Sequence, residues 1–571
     1  MKRHGRGRNR ILGTLKHIQL VRVAGLFATG ILGAQPYINA RGVINTASFT
    51  APNLPGGSIA QGSVFTILGS GLGPAKPVQA TSLPLGITLG GVSVRVFQGT
   101  RTVSALPVYV SSSQINAIMP SNAPLGRVSV RISTQGALSN PVPFTVVRSS
   151  FGIFTWNALG IFNPFFDTSN GSVIFKTNSF GSGPALARNE DFISGGSQNS
   201  TAQPAVPQQE VTLWGTGLGP NIGSDSILPY QADLPVPVEV FVGGVPAPVS
   251  LSRRSRHPGV DIITFVVPDD APQGCYVPVQ VRTGATTVSN TVTISISADG
   301  SACSDSFNPL ESYVLNGGAI GEVFTVRTSI RIDIGVDAPL NFSNDNVFAL
   351  LRPEPGGPWA FNPLVSLPPA GSCAVYNTTL NQPSSSYVLG LTAPAGTLNA
   401  GSQLSILVPA GPVPANPMRD DPRFYAASIL SNTAPAYDIL APGGADVGAF
   451  RANVTLPAAP QWTNSAQIGA IQRLAGVTVT WQTDDTADPI VIAGASSDVP
   501  TNSSALFLCL ASPGDGQFIV PDYVLSSLPP KTGILYVGAL PLQSATSFAA
   551  SGLDAGFALP VSGSAKSVSY Q

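Results

Sequence analysis

Apolar and polar residues alternate over much of this chain, as in VSVRV (92–96), VSVRI (128–132), VTISI (292–296) and VTVTW (477–481). A two-residue period sends successive side chains to opposite faces, so each run predicts a β-strand with one buried and one wet face. Glycine- and proline-rich turns break the runs at short intervals, and no stretch of similar length has a helical period. The pattern predicts an all-β chain of sandwiches.

The pattern also repeats. VFTILGSGLGP from Val64 to Pro74 returns 146 positions later as EVTLWGTGLGP from Glu210 to Pro220. LGGVSVRV from Leu89 is answered by VGGVPAPV from Val242, MPSNAPLGRVSVRI from Met119 by VPDDAPQGCYVPVQV from Val267, and LSNPVPFTV from Leu138 by VSNTVTISI from Val288. Four blocks in one order at nearly constant spacing mark a duplicated domain. The glycine stretch therefore reads as a strand ending in a tight bend. A phosphate loop would need a following helix and a Lys with Ser or Thr, and here proline and further turn residues follow.

These blocks place one sandwich at 42–150 and a second at 207–298, joined by a connector at 151–206. In the connector, FGIFTWNALGIFNPFF is aromatic enough to pack against a sandwich, whereas SGGSQNSTAQPAVPQ (194–208) reads as an exposed strap. A polar stretch after Ser297 separates these from a β-rich C-terminal region at 311–571, which is either one large sandwich with insertions or two domains split near 410–425.

Composition narrows the setting. The 571 residues include 60 Gly and 52 Pro with 10% charged and 43% hydrophobic residues, a turn-rich profile with enough apolar residues for several cores. Net charge is zero, but Lys2, Arg3, Arg6, Arg8, Arg10, Lys16 and Arg22 precede any acid, so 22 of 29 basic residues face 29 acidic ones afterwards. That balance offers no basic footprint for nucleic acid. The basic start, the apolar run VAGLFATGILGA (23–34) and its small-residue end predict a signal peptide over 1–34 and hence export; no later apolar stretch is long enough for a transmembrane helix. In an oxidising compartment Cys275, Cys303, Cys373 and Cys509 would form two disulfides in one of three connectivities, with proximity favouring Cys275–Cys303 and Cys373–Cys509.

NTASF (45–49), GSVFTILGSGLGP, LGGVSVRV, VYVSSSQINAIMP, APLGRVSVRI, LSNPVPFTV and GIFTW resemble the secreted two-part domain of Solibacter-type Acidobacteria, built from immunoglobulin-like IPT/TIG units. The resemblance spans about 42–296 and implies tandem IPT/TIG-type sandwiches and export, in a family without an assigned activity. A fainter likeness to the downstream region of such proteins continues through PGGADVGAF (442–450) and FIVPDYVLSSLP (518–529).

Candidate chemistry is sparse. His257, in RRSRHPG, is the one histidine outside the predicted signal peptide and reads as a solvated loop residue; no GxSxG nucleophile elbow occurs. The neighbouring arginines 253, 254 and 256 read as a soluble surface loop. The paired acids Asp269/Asp270 and Asp420/Asp421 sit among turn residues, where Asp caps amides. Asp484, Asp485 and Asp488 are the candidate calcium ligands, the only cofactor this chain would call for. Trp359, the tryptophan expected to be most exposed, and Trp462 are candidate ligand contacts, whereas Trp214 and Trp481 read as core. Together these features predict a secreted, non-catalytic scaffold for adhesion or recognition of an extracellular protein or polysaccharide. The alternative is a polysaccharide-active hydrolase whose catalytic part is the C-terminal region, which requires two acids facing each other across a groove.

Overall fold

The computed structural model describes residues 35–156, 181–191, 195–229, 233–332, 340–379, 398–418, 421–430, 433–498, 500, 503–543 and 545–571. The predicted signal peptide lies outside them. In the first sandwich, Val64–Ser70 pairs with Tyr37–Asn45 on one side and Gln114–Ile118 on the other, forming one sheet. Val92–Gln98, Gly126–Thr134 and Val142–Val147 form the other. Arg101–Val110 is long enough to serve both, and its register slips between Pro107 and Tyr109, where it passes from one sheet to the next. The alternation predicted for VSVRV holds, since Val92, Val94 and Val96 are buried beside Phe65, Ile67 and Val130 in a shared core.

The second sandwich repeats this plan. Glu210–Thr216, Asp261–Val266 and Val249–Arg254 form one sheet; Val238–Val242, Gly274–Thr283 and Val292–Ile296 form the other. The connector is not a separate body. Gly152–Ile153 and Ala187–Asn189 both pair with Glu210–Thr216, and Phe151, Ile153, Ala187 and Ala205 enter the second core. The stretch expected to be an exposed strap is buried at Asn199, Ser200, Thr201 and Ala205. Its polarity misled because the polar groups face backbone: Asn199 donates to Ser295 O at 2.9 Å and accepts from Ser295 N at 2.8 Å. Residues 157–166 of the aromatic run lie outside the described residues.

The C-terminal region is built on one long sheet. Its order runs Cys373–Thr379, Ser503–Ala511, Ile490–Asp498, Thr532–Ala539, Ala555–Tyr570, Gly318–Ile332, Leu340–Glu354, Asp421–Leu430 and Gly411–Met418, with further strands beyond. Gly411–Met418 and Asp421–Leu430, which occupy the interval read as a possible division near 410–425, are neighbours in this sheet. Pro412, Pro414 and Pro417 made it read as a loop, yet they lie within the strand. The back of the sheet is covered twice. One half carries a core with Phe507, Trp481, Val524 and Leu535, which also takes in Phe241 and Val288 from the second sandwich; the other half carries Val323, Val347, Ile406 and Ile439.

Both disulfides form, in the pairing that proximity favoured. Cys275 bonds Cys303, and Cys373 bonds Cys509, its direct cross-strand neighbour.

Candidate functional site

The second glycine stretch does bind an anion, but the anion belongs to the protein. The strand Glu210–Thr216 ends where Gly215 lies too close to the Phe151 ring for any side chain, and Gly217 turns with a φ of 106°. That turn aims two amides at Asp261: Gly217 N and Leu218 N donate to its Oδ2 at 2.7 and 2.8 Å. Arg254 Nε lies 3.2 Å from Asp261 Oδ1, with both side chains almost fully buried. The same guanidinium donates to Gly219 O at 2.6 Å and, across the junction, to Gly62 O of the first sandwich at 2.7 Å. In the first copy the equivalent Leu72 amide donates to Ser112 O instead, so the two copies satisfy this turn differently.

RRSRHPG is thus an interdomain seam where a soluble loop was expected. Val260 packs with Val64, Leu106 and Ile118 of the first sandwich, and Thr216 Oγ1 takes the Val64 amide at 2.8 Å. His257 is half-buried, and burial, aided by the charge of Arg256, lowers its pKa to about 4. It stays neutral near pH 7.

The remaining sequence candidates are committed to structure. Trp359, expected to be exposed, is half-buried: its ring stacks on Trp156 with centroids 4.9 Å apart and its Nε1 donates to Asn199 O at 2.9 Å. Trp462 is buried at 7% exposure in the C-terminal core, with its Nε1 bonded to Asn464. Trp481 is core, as read, and Trp214 is half-buried at the seam. Asp485 Oδ1 accepts from the amides of Ala487 and Asp488, Asp488 accepts from the Gln543 amide at 3.3 Å, and Asp484 is exposed. Among the described residues no three His, Cys, Asp or Glu side chains gather as metal ligands, and Asp485 and Asp488 accept from amides of their own turn and of Gln543. Asp269 and Asp270 are exposed in a turn; Asp420 and the Asp421 side chain lie outside the described residues.

The sequence reading missed the open face of the C-terminal sheet. Alternate residues of eight adjacent strands turn apolar side chains to one side: Tyr376, Leu506 and Leu508, Val491, Ala493 and Ala495, Ile534 and Tyr536, Leu559 and Val561, Phe324 and Val326, Phe348 and Leu350, and Phe424. With Pro363, Leu364, Leu367 and Leu540 laid over it, this face encloses a trough of about 420 Å³. Ala493 and Ala495 lie between larger neighbours, and the trough reaches Ile534, whose side chain is 41% exposed.

A polar cluster anchors the cover. Glu322, Arg352 and Glu354 occupy the same face as Phe324 and Leu350, just beyond them. Asn362, in the covering segment, donates to Glu322 Oε1 and, at 3.0 Å, to Glu354 Oε1; Arg352 Nη2 lies 2.8 Å from Glu354 Oε1 and 3.7 Å from Glu322 Oε1. One guanidinium serves two buried carboxylates. Burial raises Glu354 to about 7, with Arg352 pulling down and Glu322 pushing further up, and Glu322 is raised for the same first reason. Glu311, on the short helix Glu311–Asn316 beside this core, is likewise raised by burial to about 7.

These shifts set a pH dependence. A carboxyl with a raised folded pKa stabilises the fold at low pH, and that stability is lost as pH rises from about 4.5 to about 7, because the unfolded chain gives up its proton first. His257 works in the opposite sense, its cost appearing as pH falls from 6.5 towards 4. Above pH 6.5 only the acids act. Thermal unfolding followed by circular dichroism should therefore show a falling Tm between pH 6.5 and 7.5. Glu354→Gln should remove its own share of the loss across the titration, on the order of 2 kcal/mol. An unchanged pH profile in that variant would contradict the assignment.

No family model and no curated protein matches this chain. Solved structures similar to parts of it include SGBP-B from a complex xyloglucan utilization locus in Bacteroides uniformis, at 13% identity and TM-score 0.15, covering 69% of this chain and 86% of that one. A 1.5-MDa bacterial ice-binding adhesin, studied for host cell surface retention, is similar at 10% identity and TM-score 0.12, with 65% and 91% covered. Immunoglobulin domains 1–4 of Sidekick-1 are similar at 11% identity and TM-score 0.11, with 93% and 98% covered. The last are named as the sandwich class seen here. At such TM-scores none of the three bears on what this chain does.

Proposed function

We propose that the chain is an exported, non-catalytic recognition scaffold of tandem IPT/TIG-type sandwiches and a larger β-rich C-terminal part, holding one fixed surface against an extracellular protein or polysaccharide. The observation that carries this reading is the fusion of its parts. Arg254 links the two sandwiches, Trp156 stacks on Trp359, and Phe241 stacks on Tyr523 at 4.1 Å while Arg282 reaches Asp522 at 2.7 Å. Interfaces inside one chain that bury aromatics and pair charges resist relative motion, which suits a presenting surface. Two disulfides fit the oxidising compartment that export implies.

The paired acids Glu322 and Glu354 do not favour the hydrolase alternative, since they are 0% and 7% exposed with an asparagine amide between them, leaving no room for a sugar. The purified full chain, incubated with a panel of polysaccharides, should be retained by at least one without releasing reducing ends. Release of reducing ends, abolished by Glu322→Gln with Glu354→Gln, would overturn the non-catalytic reading.

A further inference from the structure

We propose that the trough in the C-terminal sheet is a binding site for a free, neutral, single-chain alkyl compound carrying one hydrogen-bonding oxygen, of the fatty-alcohol or ester type. The proposal goes beyond the scaffold reading and does not depend on it. Protein interiors are close-packed, and an unfilled apolar space of about 420 Å³ forfeits dispersion contacts around its whole wall. Its volume falls in the range of ligand sites, roughly 300–1,000 Å³. The shape favours a chain: Ala493 and Ala495 keep the floor low, while Phe348 and Phe424, with ring centroids 5.8 Å apart, stand on the wall.

The wall also sets the ligand's charge. Among the described residues no Asp, Glu, His, Lys or Arg lines the trough, so a carboxylate or ammonium inside it would be buried without a counter-charge from them. One polar group awaits a partner. Tyr376 lines the trough at 6% exposure, and its hydroxyl has no hydrogen-bond partner among the described residues, whereas that of Tyr536 already donates to Arg327 O at 3.4 Å. Facing the trough, this hydroxyl can donate to a single ligand oxygen. Ile534 marks the side by which a chain enters.

The test uses the full chain and the neutral fluorophore N-phenyl-1-naphthylamine. Its fluorescence should rise saturably at one probe per chain and be displaced by 1-dodecanol, and far less by dodecanoate or phosphatidylcholine vesicles. Ala495→Leu, which fills the floor, should abolish uptake while raising Tm, a combination that misfolding does not produce. Tyr376→Phe should keep probe uptake but weaken dodecanol about tenfold, the value of one buried hydrogen bond. Absence of saturable uptake by the wild-type chain, unchanged uptake by folded Ala495→Leu, or displacement only by dodecanoate or vesicles overturns the proposal. Polysaccharide retention is read separately, so either conclusion stands or falls alone.

Discussion

Arg254→Met should lower the unfolding free energy by about 3–5 kcal/mol, the cost of leaving one partner of a buried ion pair without the other. The side chain is 1% exposed, and besides Asp261 it serves two carbonyls, Gly219 O in its own sandwich and Gly62 O in the neighbouring one. Its loss strands a fully buried carboxylate and opens the seam where the two copies meet. Asp261→Asn keeps an oxygen for the Gly217 and Leu218 amides but removes the charge, so the two variants form a cycle. Denaturant unfolding should give a coupling above about 1.5 kcal/mol. Additive losses would show that the guanidinium acts through its carbonyl bonds alone. Either variant should also raise protease sensitivity at the junction.

Removing the Cys373–Cys509 disulfide should cost about 4 kcal/mol. The crosslink spans 136 residues, and loop-closure entropy grows with the logarithm of that length, giving about 5 kcal/mol before native-state effects. It also pins Cys373–Thr379, which among the described residues ends the sheet and pairs with Ser503–Ala511 alone. Cys373→Ala with Cys509→Ala should therefore lower Tm markedly and expose that edge first, visible as early hydrogen exchange in 373–379. The Cys275–Cys303 loop spans only 28 residues, so its removal should cost less by about 1–1.5 kcal/mol on the same entropy scale. Equal losses would refute a loop-length origin.

Several features were legible without coordinates because their causes are local or covalent. Alternation in VSVRV and VTVTW marked strands, since pleat geometry ties period two to opposite faces. The bend after each glycine stretch was legible because few residues besides glycine tolerate that turn. Other readings failed where a local rule met a distant partner. Asn199 and Thr201 looked like solvent-facing loop, yet they meet the backbone of Ser295 and Pro358. Arg254 looked like part of a soluble edge because Gly62 of the first sandwich, whose carbonyl it reaches, lies nearly two hundred residues upstream. Trp359 looked free because Trp156, its stacking partner, sits in the connector.

The same reasoning separates what each level decided. The sequence by itself determined an all-β chain and a duplicated sandwich, both properties of spacing along one chain, and favoured one of three cysteine pairings without fixing it. A faint signal for the acid cluster was present as well: Glu322 interrupts the apolar run GAIGEVFTV, and Arg352 follows FALL, both charges on positions that should be buried. Only the tertiary structure decided that these charges meet each other and Asn362, that Asp261 fills the cradle of the second glycine turn, and that Tyr376, Phe424, Ala495 and Leu559 line one trough. Sheet order places those strands side by side, and that order depends on which distant faces bury together, a choice no stretch of sequence makes alone.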